Sequence, residues 1–134
     1  MKVGEFYKSI YNHYVSKVTK VWRNVVTLEN RQGVTDEISV DNFDANWKRC
    51  VTIYEYRDEL QKAFSHVNAT MCMRGDAVVI QIDDSQLAFG IVNDMLRVMF
   101  TDDVKEAVEA DSNIMEFLLE DAFDVITMFA DLFE

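Results

Sequence analysis

Apolar and polar residues alternate in short runs over the first fifty positions, and many of the apolar residues are β-branched. Such runs are typical of β-strands. Residues 17–21 and 24–29 lie on either side of Trp22-Arg23 and predict a hairpin. Gly33 suits the next turn, because glycine adopts a positive φ without strain. A further short strand is predicted at residues 37–40.

The pattern before and after these strands is more varied. Residues 41–47 predict one helical turn with Asp41 as its N-cap, and residues 48–54 predict a closing strand. The apolar positions of residues 3–18 fit a helical face, yet Tyr11-Asn12-His13 also suits a turn between two strands. We favour the two strands, because they would complete a small barrel.

The order of these elements resembles that of small SH3-like barrels of the Tudor or KOW type, which are common in small proteins of bacteria and their phages. The resemblance covers about the first 50 residues and is a pattern of strand lengths and turns. It is carried by Gly4-x-Phe6-Tyr7, residues 17–21, residues 25–28, Gly33, residues 37–40 and Phe43-x-x-x-Trp47. It implies that residues 1–54 form a small β-barrel module that binds nucleic acids or peptides, with no fixed site residues.

The remaining residues, 55–134, have a different pattern. A short amphipathic helix is predicted at residues 56–66, followed by a hairpin of residues 69–73 and 77–82. Three helices are then predicted: one from Asp83 or Asp84 to about Phe100, a short one capped by Thr101, and one from Asn113 nearly to Glu134. The expected fold class is α+β, with an N-terminal SH3-like barrel followed by a hairpin and a helical acidic C-terminal part, packed as one unit.

Negative charge is concentrated in the second half of the chain. Residues 1–75 hold eleven Lys or Arg and nine Asp or Glu, whereas residues 76–134 hold two and fifteen. On the predicted last helix, five acidic residues recur at helical spacing along a line about 27 Å long. These candidate partner-binding residues are Glu116, Glu120, Asp124, Asp131 and Glu134.

Such a line of carboxylates admits two interpretations. It is similar, in charge and size only, to small phage proteins that mimic DNA, whose phosphates are spaced about 3.4 Å apart along each strand. A basic partner protein would then bind it. The same residues also suit a solvated helix face that only keeps an apolar helix soluble.

A basic cluster in the first half suggests another function. Lys17, Lys20, Arg23 and Arg31 are the candidate nucleic-acid-binding residues, with Tyr11, Tyr14, Trp22 and Trp47 near them in sequence. Cations interleaved with aromatic rings suit single-stranded nucleic acid. The two tryptophans also suit the core of a small barrel, and nearby acidic residues dilute the cluster.

Catalytic and cofactor motifs are sparse. The sequence has no Gly-x-Ser-x-Gly elbow, no glycine-rich phosphate loop, and only His13 and His66 as histidines. Asp83-Asp84 and Asp102-Asp103 lack the spacing of a cation loop and suit helix starts instead. We therefore expect a protein that is not an enzyme and has no cofactor or metal.

The expected location is the cytoplasm, that of a bacterial host if the protein is phage-encoded. The sequence has no apolar run of about 18 residues and no signal-peptide pattern at its start, so no membrane association is expected. Cys50 and Cys72 are then expected to be reduced, buried thiols.

Three functions follow, in this order. The first is a phage-type regulator or inhibitor whose acidic C-terminal surface binds a basic, nucleic-acid-handling host protein. The second is a nucleic-acid-binding or transcription-regulatory protein that acts through the N-terminal barrel. The third is a homodimeric structural or assembly protein built on the apolar C-terminal helix.

Overall fold

The computed structural model describes all 134 residues. The chain divides into two compact units, Met1–Cys50 and Val51–Glu134. Each unit contains one antiparallel sheet of five strands. None of the helices combines the length and apolar character that crossing a bilayer requires.

The first unit is a meander with one short helix. Its strand order is β4-β3-β2-β1-β5. The elements are β1 (Phe6–Ser9), β2 (Val15–Trp22), β3 (Val25–Asn30), β4 (Thr35–Ser39), α1 (Val40–Asn46) and β5 (Trp47–Arg49). Residues 3–18 thus contain strands rather than a helix, as favoured from the sequence.

The predicted closed barrel is wrong. The strands β4 and β5 are the two edges of the sheet and are not paired with each other. Barrel closure requires the edge strands to pair, and β5 has three residues that pair only with β1. The helix α1 connects these edges, and its Phe43 is buried in the core.

The core of the first unit lies between α1 and one face of the sheet. Tyr7, Val18, Val26, Leu28 and Phe43 form it, with Trp47 packed against them. The Tyr7 and Phe43 rings meet edge to face, with 4.6 Å between their centroids.

The second unit is also built on an antiparallel meander, with order β10-β9-β8-β7-β6. Its strands are β6 (Thr70–Arg74), β7 (Ala77–Ile82), β8 (Ser85–Val92), β9 (Met95–Phe100) and β10 (Ile114–Leu118). Its helices are α2 (Arg57–Ala63), α3 (Asp102–Ala107) and α4 (Ala122–Asp131), with 3-10 turns at Ile53–Tyr56 and Leu119–Asp121.

The helix predicted from Asp83 to Phe100 is instead the hairpin β8–β9. Asn93 and Asp94 both have positive φ, at 53° and 60°, and form its two-residue turn. This geometry matches the right-handed twist of the flanking strands. Leu87, Phe89 and Ile91 then alternate toward one face of the sheet, so the apolar period is two rather than 3.6.

The helix predicted from Asn113 to Glu134 is also wrong. Ile114–Leu118 form β10, which pairs with β9, and α4 begins only at Ala122. The Phe129 ring of α4 packs on the rings of Phe89, Phe100 and Phe117 at 5.9–6.1 Å. Because helices occur throughout the chain, a separate helical C-terminal part does not exist.

Candidate functional site

Strand register gathers four lysines on the face of the first sheet that points away from the Tyr7–Phe43 core, which we call its outward face. Phe6 and Val15 lie among them on this face and are each 1% exposed. Lys48 of β5 lies opposite Lys8 of β1. Lys17 of β2 lies opposite Phe6 of β1, and Lys20 follows it after a β-bulge. Residues paired across antiparallel strands share a face. We call Lys8, Lys17, Lys20 and Lys48 the lysine row.

The lysine row is at least partly exposed, and Glu29 of β3 lies directly opposite Lys17 at its border. Lys20 and Lys48 are exposed, and Lys8 and Lys17 are partly exposed. The outward positions of β5, β1 and β2 carry no Asp or Glu, whereas β3 and β4 contribute Glu29 and Glu37 to the same face. The sheet therefore has a positive side and a negative side.

An exposed tryptophan extends the positive side. Trp22 ends β2 on the same face as Lys20 and is 62% exposed. The Arg23 guanidinium lies 5.6 Å from the centre of its ring. Arg23 has a φ of 54° in the turn to β3. Trp22 is therefore not a core residue, whereas Trp47 packs against the core.

The structure places only part of the predicted nucleic-acid set together. Lys17 and Lys20 lie in the lysine row, and Arg23 lies beside Trp22. Arg31 is in the turn from β3 to β4, at the other end of β3. Lys8 and Lys48 were not among the four candidates, and only the pairing of β1 with β5 brings them together.

The predicted acidic line does not exist as one helix face. Glu116 lies on β10 and pairs with Arg97, with Oε1 2.9 Å from Nη2. Glu120 lies in the 3-10 turn, Asp124 and Asp131 lie on α4, and Glu134 is the last residue. The carboxylates are exposed but are divided among three elements.

A different acidic surface surrounds α3. An open depression of about 540 Å³ is lined by Asp102, Lys105, Glu106, Glu109 and Ala110. The second unit as a whole holds eighteen Asp or Glu and five Lys or Arg. The sequence signal for this surface is the density of acidic residues between positions 102 and 111.

Asp103 has the best-defined polar environment in the second unit. The buried Ser85 hydroxyl donates to Oδ2, and the Thr101 hydroxyl donates to Oδ1 at 2.5 Å. These two hydrogen bonds, that from Ser85 above all, hold the pKa of the Asp103 carboxyl below its ordinary value. The hydrogen bond from Ser85 joins the first turn of α3 to the first residue of β8.

The histidines and cysteines do not converge on a reactive centre. His66 Nε2 lies 3.2 Å from the Ala130 carbonyl of α4, and His13 lies in the turn from β1 to β2. Cys50 is buried, but Cys72 is exposed, so the expectation of two buried thiols is wrong for Cys72. No three His, Cys, Asp or Glu side chains form a metal-binding group.

The architecture is that of a two-unit α+β protein with one open antiparallel sheet in each unit. Comparison with protein-family models, with curated proteins and with solved structures finds no match to this chain.

Proposed function

We propose that the chain binds single-stranded nucleic acid through the outward face of the first sheet. The observation that carries this proposal is the lysine row next to the exposed Trp22. Lysine ammonium groups neutralise phosphates, and an exposed indole provides a surface on which a base can stack. Binding of single strands without sequence preference commonly combines these two contacts.

The charge distribution supports this location for the bound strand. The first unit carries eight Lys or Arg against six Asp or Glu, and four of the eight basic residues are the lysine row. The second unit is strongly acidic and repels phosphate. Binding is therefore confined to one face, and its affinity depends strongly on salt.

The salt dependence of binding tests the proposal. Fluorescence anisotropy of a labelled single-stranded oligonucleotide is measured against NaCl concentration. Four neutralised phosphates give a slope of log K against log salt of about −3, at about −0.7 for each contact. Changing Lys8, Lys17 and Lys20 to Gln should reduce that slope to about −1.

A variant with the same change in net charge is the control. Lys2→Gln, Lys62→Gln and Lys105→Gln remove three positive charges outside the lysine row. This control variant should keep most of the slope of log K against log salt. The proposal would be contradicted if the parent protein did not bind the oligonucleotide at low salt, or if the slope fell equally in the two variants.

The acidic surface around α3 supports a second candidate, a regulator or inhibitor that binds a basic nucleic-acid-handling protein of a host. Its support is the excess of eighteen acidic over five basic residues, with Glu106 and Glu109 at the open depression. Complementary charge would accelerate association with such a partner.

A pull-down from bacterial lysate, with and without nuclease, separates the two candidates. A basic protein that stays bound after nuclease, and is lost with Glu106→Gln and Glu109→Gln, supports the second candidate. Glu120→Gln and Asp124→Asn form the control for those two substitutions. Bound material that disappears with nuclease, or with the lysine-row variant, supports the first.

A further inference from the structure

The outward face of the second sheet is nearly free of acidic residues, although it belongs to the acidic unit. Register places sixteen residues on this face, and only Arg74, Arg97 and Glu116 among them are charged. The other seventeen acidic residues of the unit lie elsewhere. The uncharged positions are 70, 72, 77, 79, 81, 86, 88, 90, 92, 95, 99, 114 and 118.

Several of these uncharged side chains are large, apolar and exposed. Val92, Met99, Ile114 and Leu118 are 40%, 48%, 43% and 53% exposed. An antiparallel sheet that faces water normally carries polar residues on its outer side. Exposed apolar side chains of this kind, with few charges among them, are typical of a protein–protein contact.

Two of the three charges of the face are opposite in sign and adjacent, on β9 and on the edge strand β10. Arg97 of β9 lies directly across from Glu116 of β10, and both Nε and Nη2 of the guanidinium contact Oε1, at 3.1 and 2.9 Å. Both side chains are about half exposed. Met99 and Ile114 flank this ion pair on one side, and Met95 and Leu118 flank it on the other.

We propose that the outward face of the second sheet, with the Arg97–Glu116 pair near its β10 edge, is the contact surface of a homodimer. Charge complementarity identifies a second copy as the occupant. A twofold rotation sets Arg97 of each copy near Glu116 of the other, so the face complements itself. The rest of the unit holds seventeen acidic and three basic residues, so contact between two copies there would bring mostly like charges together.

This surface differs from the dimer contact expected from the sequence. That contact used the apolar side of the C-terminal helix, but Val125, Ile126 and Phe129 of α4 are buried within the fold. The inference is independent of nucleic-acid binding, because it uses residues of the second unit only.

The size of the face sets the expected strength of the dimer. Five strands spaced about 4.8 Å apart, each about 20 Å long, give a face of at most about 480 Å². A twofold axis between β9 and β10 brings only the part of the face near that edge into contact. A stable dimer buries about 800 Å² on each partner. We therefore expect a weak dimer, in reversible exchange with the monomer at micromolar to millimolar protein concentrations.

Sedimentation equilibrium of the full chain from 1 µM to about 1 mM tests the dimer at the concentrations where it should form. Met99→Glu places a charge among the exposed apolar side chains and should raise the dissociation constant at least about tenfold. Met128→Glu is the matched control, since Met128 is 40% exposed on α4 and Met99 is 48% exposed on β9. Circular dichroism checks that both variants are folded.

A mixing experiment tests whether the face complements itself. Arg97→Glu alone and Glu116→Arg alone should each be monomeric, because each brings like charges together across the twofold axis. An equimolar mixture of the two variants should form a heterodimer, because each copy then offers the charge that the other lacks. A chain that remains monomeric at 1 mM, equal effects of the two methionine variants, or a mixture that stays monomeric would overturn the proposal.

Discussion

Asp103 shows how a single carboxylate contributes to stability in a pH-dependent way. Hydrogen bonds from Ser85 and Thr101 favour its charged form and lower its pKa in the folded protein. Its stabilising contribution is therefore complete above the ordinary pKa of 3.8 and is lost as pH falls through the lower value of the folded protein. Asp103 therefore stabilises the folded protein fully at neutral pH.

We predict that Asp103→Asn lowers the free energy of unfolding at pH 7 and that the difference from the parent protein shrinks in strong acid. Urea unfolding at pH 7 and at pH 2.5 measures this. Asp111→Asn removes one carboxylate from an exposed loop position and is the control. A difference that is constant with pH would show that the two hydroxyl contacts do not favour the charged carboxylate.

Trp22 permits a prediction for binding at the same scale. Because its ring is mostly exposed, Trp22→Ala should change the melting temperature little. Loss of a stacked base should weaken oligonucleotide binding by about 1–3 kcal/mol. Anisotropy titration measures the affinity. Tyr11→Ala is the control, since Tyr11 is also an exposed aromatic residue but lies in the turn from β1 to β2. Equal losses would mean that Trp22 has no specific role.

At the scale of elements, Phe129 is the residue of α4 that packs on the aromatic rings of the second sheet. Phe129 is fully buried and contacts rings from β8, β9 and β10. We predict that Phe129→Ala lowers the free energy of unfolding by about 3–5 kcal/mol, the usual cost of such a cavity. Denaturant unfolding measures it. Met128→Ala, at the exposed neighbouring position, should cost less than about 1 kcal/mol. A small loss at Phe129 would show that α4 does not depend on this contact.

The strands β8 and β9 could not be predicted, because their apolar residues fit both the helical period and the strand period. Ala88, Val92, Met95 and Met99 fall within the helix predicted from Asp83 or Asp84 to about Phe100, yet they lie on the outward face of the second sheet. Strands and helices both accept a run of mixed apolar residues, and periodicity alone does not separate them. The turn Asn93-Asp94 was the decisive local signal, because both residues tolerate positive φ.

At the scale of the whole molecule, the second unit carries a net charge of −13 and repels itself. We predict that raising NaCl from 20 mM to 300 mM raises the melting temperature by about 2–5 °C, since salt at this concentration shortens the Debye length below 10 Å. Differential scanning calorimetry measures this. A melting temperature that falls with salt would show that attractive ion pairs dominate instead.

Some residues of the candidate sites could be predicted from the sequence, and others could be identified only from the structure. Lys17, Lys20 and Arg23 were identified from sequence because they are close together along one predicted hairpin. Lys8 and Lys48 belong to the same face only through the pairing of β1 with β5, which joins residues forty positions apart. The acidic line was wrong because Glu116 lies on a strand rather than on a helix.

The sequence by itself determined the composition of each half, the strands of the first fifty residues, and the concentration of negative charge in the second half. These depend on local conformational preference and on counting charges, which need no knowledge of distant contacts. Only the tertiary structure decided that the first sheet stays open, that residues 84–118 contain strands, and that lysines on three strands share a face. Strand pairing is a long-range contact, and the free energy that selects it comes from burial shared by residues far apart in the chain.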